Sequence, residues 1–185
     1  NEWLTFETGV QGAWSKMQFD GGELSNLAPF LPNFQTAWQA SGYQKMIAEN
    51  GPFRTTLTTF ETRFVKDTKT HDLYDYYDIN NNRVIVDDRN RYQYWGTRLG
   101  AELQEDIDLK SNGKLTFGTR YEEEKAETNS YSPRHQNTRS AFTLYQIAPL
   151  AGLNLSLGSR LDDVSTFGTF FTWRVTSSYA LTSAT

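Results

Sequence analysis

The sequence predicts an all-β fold, an antiparallel meander of about eight long strands that is part of a transmembrane β-barrel or a small barrel of its own. Three observations lead there. The first is the run from Trp95 to Tyr121. Trp95, Thr97, Leu99, Ala101, Leu103 and, after Glu105, Ile107 and Leu109 alternate with Gly96, Arg98, Gly100, Glu102, Gln104, Asp106 and Asp108. After the turn signal Ser111-Asn112-Gly113, Leu115, Phe117, Thr119 and Tyr121 alternate with Thr116, Gly118, Arg120 and Glu122. Successive side chains of a strand point to opposite faces, so one face is apolar and the other polar and charged. The second is length: each run exceeds the usual strand of about five or six residues and reaches what a tilted strand needs to cross a bilayer. The third is composition, with 15% aromatic residues beside only 37% hydrophobic ones, which fits girdles of amphipathic rings at headgroup level.

The other elements follow in chain order. Leu4, Phe6, Thr8, Val10 and Trp14 alternate with Thr5, Glu7, Gly9, Gln11 and Ser15, and a Gly/Pro-rich stretch from Asp20 to Pro32 ends that strand. Phe34 to Met46 is a weaker strand in which Phe34, Thr36, Trp38 and Ala40 share a face, and Asn50-Gly51-Pro52 turns the chain. Thr55 to Lys66 sets Phe60, Thr62 and Phe64 against Thr59, Glu61 and Arg63. A long polar segment, Asp67 to Asn90, reads as a loop, and a second loop is expected from Ala126 to Asn137. The strand from Arg139 to Ile147 has an ambiguous phase. Pro149-Leu150-Ala151-Gly152 turns into Leu153, Leu155, Leu157 and Leu161, opposed by Asn154, Ser156, Gly158 and Arg160. Beyond a short connection, Phe171, Trp173, Val175, Tyr179 and Leu181 face away from Thr172, Arg174, Thr176 and Ser178. Connections alternate between short and mostly longer, the pattern of an outer-membrane barrel.

Composition excludes several functions. The net charge of -4 gives no electrostatic footprint for nucleic acid. The absence of cysteine removes disulfide and thiol chemistry. A mean hydropathy of -0.64 leaves no stretch for a membrane helix, but barrel strands hide half their residues from lipid. No nucleophilic triad, paired-carboxylate arrangement or phosphate-cradling glycine loop appears, so no enzyme is expected. The start at Asn1-Glu2-Trp3 reads as that of a processed protein or a fragment.

Arg98, Glu102, Arg120, Glu122, Arg160 and Arg174 all fall on the polar face. In a membrane barrel they point into the lumen, because a lone charge facing lipid at the midplane costs about 2–4 kcal/mol. A lipocalin-like soluble barrel would have the reverse polarity. The same charges would also suit the solvated face of a soluble β-sandwich.

The segment from His71 to Asp88 is the one cluster with the look of a site. Asp75, Asp78, Asn80, Asn82, Asp87 and Asp88 supply hard oxygen donors of the kind Ca²⁺ takes, although Arg83 and Arg89 stand where an EF-hand has glycine and glutamate. The expectation is that Ca²⁺ orders this loop through Asp75, Asp78, Asn80, Asp87 and Asp88; the alternative is a solvated acidic loop. Tyr74, Tyr76 and Tyr77 would stack on a ligand there, or serve as girdle residues. His71 and His135 read as ordinary surface residues.

Four segments carry a family resemblance. Gly113-Lys-Leu-Thr-Phe-Gly-Thr-Arg-Tyr-Glu-Glu-Glu124 resembles a strand in the barrel of TonB-dependent outer-membrane receptors that ends in a Tyr/Glu-rich stretch. Thr138-Arg-Ser-Ala-Phe-Thr-Leu-Tyr145 is similar to the strand that descends next, and Leu153-Asn-Leu-Ser-Leu-Gly-Ser-Arg-Leu-Asp-Asp163 with Thr166-Phe-Gly168 to the following leucine-rich run. Phe171-Thr-Trp-Arg-Val-Thr-Ser-Ser-Tyr-Ala-Leu181 is similar to the strand after that. The resemblance covers roughly residues 55–181. It implies outer-membrane lipid around the strands and a small chelate, siderophore or cobalamin, as ligand. It also implies a TonB-type periplasmic energiser acting through a plug, and it permits a calcium ion on the outer side. Such barrels have about 22 strands and an N-terminal plug. Residues 1–185 are therefore expected to be a single internal barrel segment. A closed eight-stranded barrel with a structural or adhesive role and a soluble ligand-binding β-barrel stay open.

Overall fold

The computed structural model describes residues 3–20 and 32–180. Eight strands run β1 (Leu4–Asp20), β2 (Pro32–Asn50), β3 (Phe53–Tyr77), β4 (Arg83–Asp108), β5 (Lys114–Thr128), β6 (Arg134–Leu150), β7 (Leu153–Val164) and β8 (Gly168–Tyr179). They form one sheet in chain order, every neighbouring pair antiparallel. The one helical feature among the described residues is the 3₁₀ turn Lys110–Asn112. The expected meander of about eight strands is what the chain forms. The Gly/Pro-rich stretch between β1 and β2 lies outside the described residues.

Short turns gather at one end of the sheet. Gly51, Gly113 and Gly152 sit at positive φ (59°, 96° and 81°) in the turns that join β2 to β3, β4 to β5 and β6 to β7. Glycine supplies this backbone conformation without steric cost. At the opposite end Asp78–Asn82 links β3 to β4, residues 129–133 link β5 to β6, and residues 165–167 link β7 to β8.

The register fixes two faces. On one, Phe6, Met46, Leu57, Leu103, Thr119, Ala141, Leu161 and Phe171 form a single cross-strand row, and Trp14, Trp38, Val65 and Trp95 form another higher up β1–β4. Those tryptophans are exposed, as are Phe6, Leu103, Phe171 and Trp173. The opposite face is polar, and it holds the buried residues among those described: Asn33, Ile47, Thr56, Asp106, Thr116, Glu122 and Ser140, with Gly96. Burial confined to one face means that the sheet curls toward it. The polar face is the inner one and the apolar face the outer.

Three expectations change. Asp67 to Asn90 is not a loop: β3 and β4 continue through it as a paired ribbon, and only Asp78–Asn82 turns. The expected loop from Ala126 to Asn137 likewise shrinks to residues 129–133. In both places the strands outrun the apolar band, so alternation fades while backbone pairing persists. The possible eight-stranded closure does not occur among the described residues, since β1 and β8 are the two edges of an open sheet. The ambiguous phase of β6 also has a physical reason. Phe142 and Leu144 face inward over Gly118 and Gly158, which leaves Arg139, Ala141, Thr143 and Tyr145 on the outer face.

Candidate functional site

The inner wall is built from direct cross-strand pairs of glycine with a large side chain. Gly9 faces Tyr43, Gly96 faces Phe64, Gly100 faces Phe60 and Gly118 faces Phe142. In each pair the ring lies where a glycine Cβ would be, so the rings lie flat on the wall. Tyr43 and Phe60 are themselves cross-strand partners, which makes Gly9-Tyr43-Phe60-Gly100 a continuous row across β1–β4.

Beside that row sits an ionic network. Arg98 donates to Glu122 at 2.6 and 2.9 Å, and Arg120 donates to the same carboxylate at 3.1 and 2.6 Å. Arg120 also approaches Glu102 at 3.4 Å, and Arg98 approaches Glu124 at 3.4 Å. Both guanidinium groups lie over Phe60, at 4.6 Å for Arg120 and 5.9 Å for Arg98, within the range of cation–π attraction. Glu122 is buried, and two charge-assisted donors compensate its desolvation. Further round, Arg160 holds Asp162 at 2.8 and 2.9 Å and donates to Ser140 at 2.9 Å. Arg174 shares the inner face and has no ion pair among the described residues. Arg98, Glu102, Arg120, Glu122, Arg160 and Arg174 thus share one face of the sheet, the inner one.

Above the sheet, β3 and β4 continue as a two-stranded ribbon. Its outer face carries a diagonal ladder in which every fourth residue is paired: Asp67 with Arg91 at 2.6 Å, His71 with Asp87 at 2.6 Å, and Asp75 with Arg83 at 2.6 Å. Arg89 adds a second partner to Asp87 at 2.9 Å. The Arg91 hydrogen bonds hold Asp67 below the usual carboxylate range. Those of Arg89, then His71, do the same for Asp87. The bases of the ribbon edges are capped by asparagine side chains. Asn33 Oδ1 accepts from the His71 amide at 2.7 Å, while Asn129 Oδ1 accepts from Gln93 N at 3.1 Å and its Nδ2 donates to the Arg91 carbonyl at 2.7 Å.

This geometry corrects the calcium expectation. Asp75 is taken by Arg83 and Asp87 by His71 and Arg89, while Asp88 points to the other face of the ribbon. Asp78 folds back on its own turn, accepting from the amides of Asn80 at 2.9 Å and Asn82 at 2.8 Å and from Asn82 Nδ2 at 3.2 Å. The Asn82 bonds lead in holding its carboxyl below the ordinary value. Asn80 contributes its amide to that turn. Among the described residues no group of three or more His, Cys, Asp or Glu side chains is placed to hold a metal. The three tyrosines are also divided. Tyr76 pairs with Val84 on the inner-facing side, and Tyr77 pairs with Arg83 on the opposite one. Tyr74 occupies a register position on the Tyr76 side, and its side chain lies outside the described residues.

Sequence reasoning missed the glycine–ring rungs, although a signal existed: Phe60 and Phe64 have the same spacing as Gly96 and Gly100 on the next strand. On β3 the alternation of Phe60 and Phe64 with Glu61 and Arg63 holds, but the register sets the two rings on the inner face and the two charges on the outer one.

No protein-family model and no curated protein sequence matches the chain. Solved structures do resemble it. The outer membrane transporter YddB from Escherichia coli superposes with a TM-score of 0.73 at 10% identity, over 98% of this chain and 28% of its own. The ferric-catecholate import receptor Fiu from E. coli K12 gives 0.70 at 11%, over 97% and 39%. The siderophore receptor PirA from Acinetobacter baumannii gives 0.60 at 14%, over 80% and 24%. What is shared at such identity is the fold, and this chain spans about a quarter to two fifths of the length of those proteins. Its sheet has the fold of part of their β-barrels.

Proposed function

We propose that this chain is a segment of the barrel wall of a bacterial outer-membrane transporter of the TonB-dependent kind, which takes up a scarce nutrient chelate. The observation that carries this reading is the polarity of the sheet. Aromatic and aliphatic side chains are exposed over the outer face, whereas Arg98, Glu102, Arg120, Glu122 and Arg160 are satisfied in ionic pairs on the inner one. A water-soluble barrel arranges these the other way round. The outer apolar rows through Leu57 and Val65 stand roughly 27 Å apart along β3, a span that a tilted strand uses to cross hydrocarbon. Short turns at one end and the long β3–β4 ribbon at the other orient the segment, with the ribbon outside the cell.

The resemblance to a ferric-catecholate import receptor and a siderophore receptor supports a metal chelate as cargo. Siderophore is the favoured class, with cobalamin as the alternative. Lipid of the outer membrane surrounds the outer face, the remaining strands complete the barrel, and a plug couples it to the periplasmic energiser. Cells whose gene for the intact protein is deleted should lose uptake of one ferric chelate or of cobalamin under limitation, and the protein should fractionate with the outer membrane. Recovery of the intact protein in the soluble fraction would remove the membrane reading. Unaltered uptake of every chelate tested would remove the cargo.

A further inference from the structure

Two of the described asparagines precede a glycine: Asn50-Gly51 at the turn from β2 to β3, and Asn112-Gly113 at the turn from β4 to β5. Every other described asparagine is followed by a bulkier residue. The pairing matters because the backbone nitrogen that follows an asparagine can attack its side-chain carbonyl. Glycine, with no Cβ, leaves that nitrogen open to close approach. Both asparagines are exposed, so water reaches each of them.

Hydrogen bonding separates the two sites. Asn112 lies in the 3₁₀ turn, where its amide donates to the Leu109 carbonyl at 3.1 Å and its carbonyl accepts from Tyr145 Oη at 2.5 Å. The nitrogen that would attack, Gly113 N, donates to the Lys110 carbonyl at 3.1 Å. Asn50 ends β2 and pairs with Phe53 across a turn made of Gly51 and Pro52 alone. Gly51 N donates to no group among the described residues. Of the two attacking nitrogens, this one is both unhindered and uncommitted.

We infer that Asn50 is a site of spontaneous deamidation, and that the fold protects Asn112 from the same reaction. Gly51 N bonds to Asn50 Cγ as the Cγ–Nδ2 bond breaks, and the proton lost from Gly51 N ends on the departing nitrogen, which leaves as ammonia. Water then opens the cyclic imide, its hydroxyl going to a carbonyl carbon and its proton back to the nitrogen. Opening at Cγ gives aspartate with the main chain unchanged. Opening at the backbone carbonyl gives isoaspartate, whose main chain is a carbon longer. Either product sets a new carboxylate next in sequence to Glu49, which Arg54 holds at 3.3 Å. Isoaspartate also lengthens the turn in which the Pro52 carbonyl accepts from Asp108 N at 2.8 Å, and so loosens the tie between that turn and the end of β4.

The test incubates the intact protein, folded in detergent micelles, in mildly alkaline buffer made with oxygen-18 water, beside a sample unfolded in guanidinium chloride. After return to ordinary water, trypsin releases residues 46–54 and 111–114 by cutting after Lys45, Arg54, Lys110 and Lys114. Mass spectrometry reads conversion as uptake of heavy oxygen, and chromatography separates isoaspartate from aspartate. In the folded protein Asn50 should convert at least about fivefold faster than Asn112, the factor that a retained hydrogen bond corresponds to. In the unfolded protein the two should convert at similar rates. Equal rates in the folded protein, faster conversion at Asn112, or no conversion at Asn50 would each overturn the inference. A gap of the same size in the unfolded chain would refute protection by the fold.

Discussion

Replacing Gly100 by alanine sets two effects of opposite sign against each other. Glycine within a strand is unfavourable relative to alanine by roughly 0.5–1 kcal/mol, so propensity alone predicts a more stable protein. The structure predicts the reverse. A Cβ at Gly100 would stand 2.5 Å from Phe60 Cζ and 2.6 Å from the Tyr121 carbonyl oxygen. The carbonyl belongs to the β4–β5 ladder, and the ring has the Arg120 guanidinium 4.6 Å from its centroid, so neither gives way freely. Overpacking of this kind costs about 1–3 kcal/mol, and the net expectation is a loss of about 0.5–2 kcal/mol once propensity is subtracted. Gly12 is the internal control, because its nearest atom would be the Gln39 carbonyl at 3.7 Å, an ordinary contact. Gly12→Ala should be neutral or slightly stabilising. Urea unfolding of the intact protein in detergent micelles, followed by tryptophan fluorescence, measures both. Adding Phe60→Leu to Gly100→Ala should recover part of the loss. Equal stability of the Gly100→Ala and Gly12→Ala proteins would refute the argument that rings rest on glycines along the inner wall.

Three further outcomes follow from the same geometry. Leu103→Arg, on the outer face, should cost about 2–4 kcal/mol of stability in lipid vesicles, whereas Thr58→Arg, whose position faces inward opposite Glu102, should cost much less. Asp87 is held below the ordinary carboxylate range chiefly by Arg89, so its contribution is present above the unfolded value of about 3.9 and is lost as pH falls through the lower folded one. Amide exchange over Arg83–Arg89 should therefore be slower in the parent than in Asp87→Asn down to about pH 4, with the difference closing below that. Asp78→Ala should speed exchange and proteolysis at the ribbon tip, and millimolar Ca²⁺ should protect neither protein, because the Asp78 oxygens already serve their own turn. Protection by Ca²⁺ would reinstate the calcium reading.

Much of this fold is legible in the chain because a two-sided environment writes a period of two into the sequence. Leu99 and Leu103 alternate with Arg98 and Glu102, and Phe117 with Thr116 and Gly118, because the outer face of the sheet is apolar and the inner one polar. Those strands, the polarity of their faces and the turns at Gly51, Gly113 and Gly152 follow from local sequence. Where both faces are wet the signal disappears: residues 67–90 look like an acidic loop because nothing there demands an apolar side. Their order comes instead from backbone pairing and the diagonal partners Asp67–Arg91, His71–Asp87 and Asp75–Arg83. Sequence proximity gathered Asp75, Asp78, Asp87 and Asp88 into one apparent ion site. Strand geometry sends Asp87 and Asp88 to opposite faces and gives the other carboxylates nearer donors. The position of Glu61 and Arg63 is likewise a property of register. Only when β2 and β4 are laid beside β3 does an unremarkable Glu-Thr-Arg triplet become a pair of charges in the middle of an apolar wall. The chain by itself determined which face is oily on strands with clean alternation, such as β4, β5 and β7; tertiary pairing decided the faces of β3 and β6 and what each polar group meets, because cross-strand neighbours are set by register.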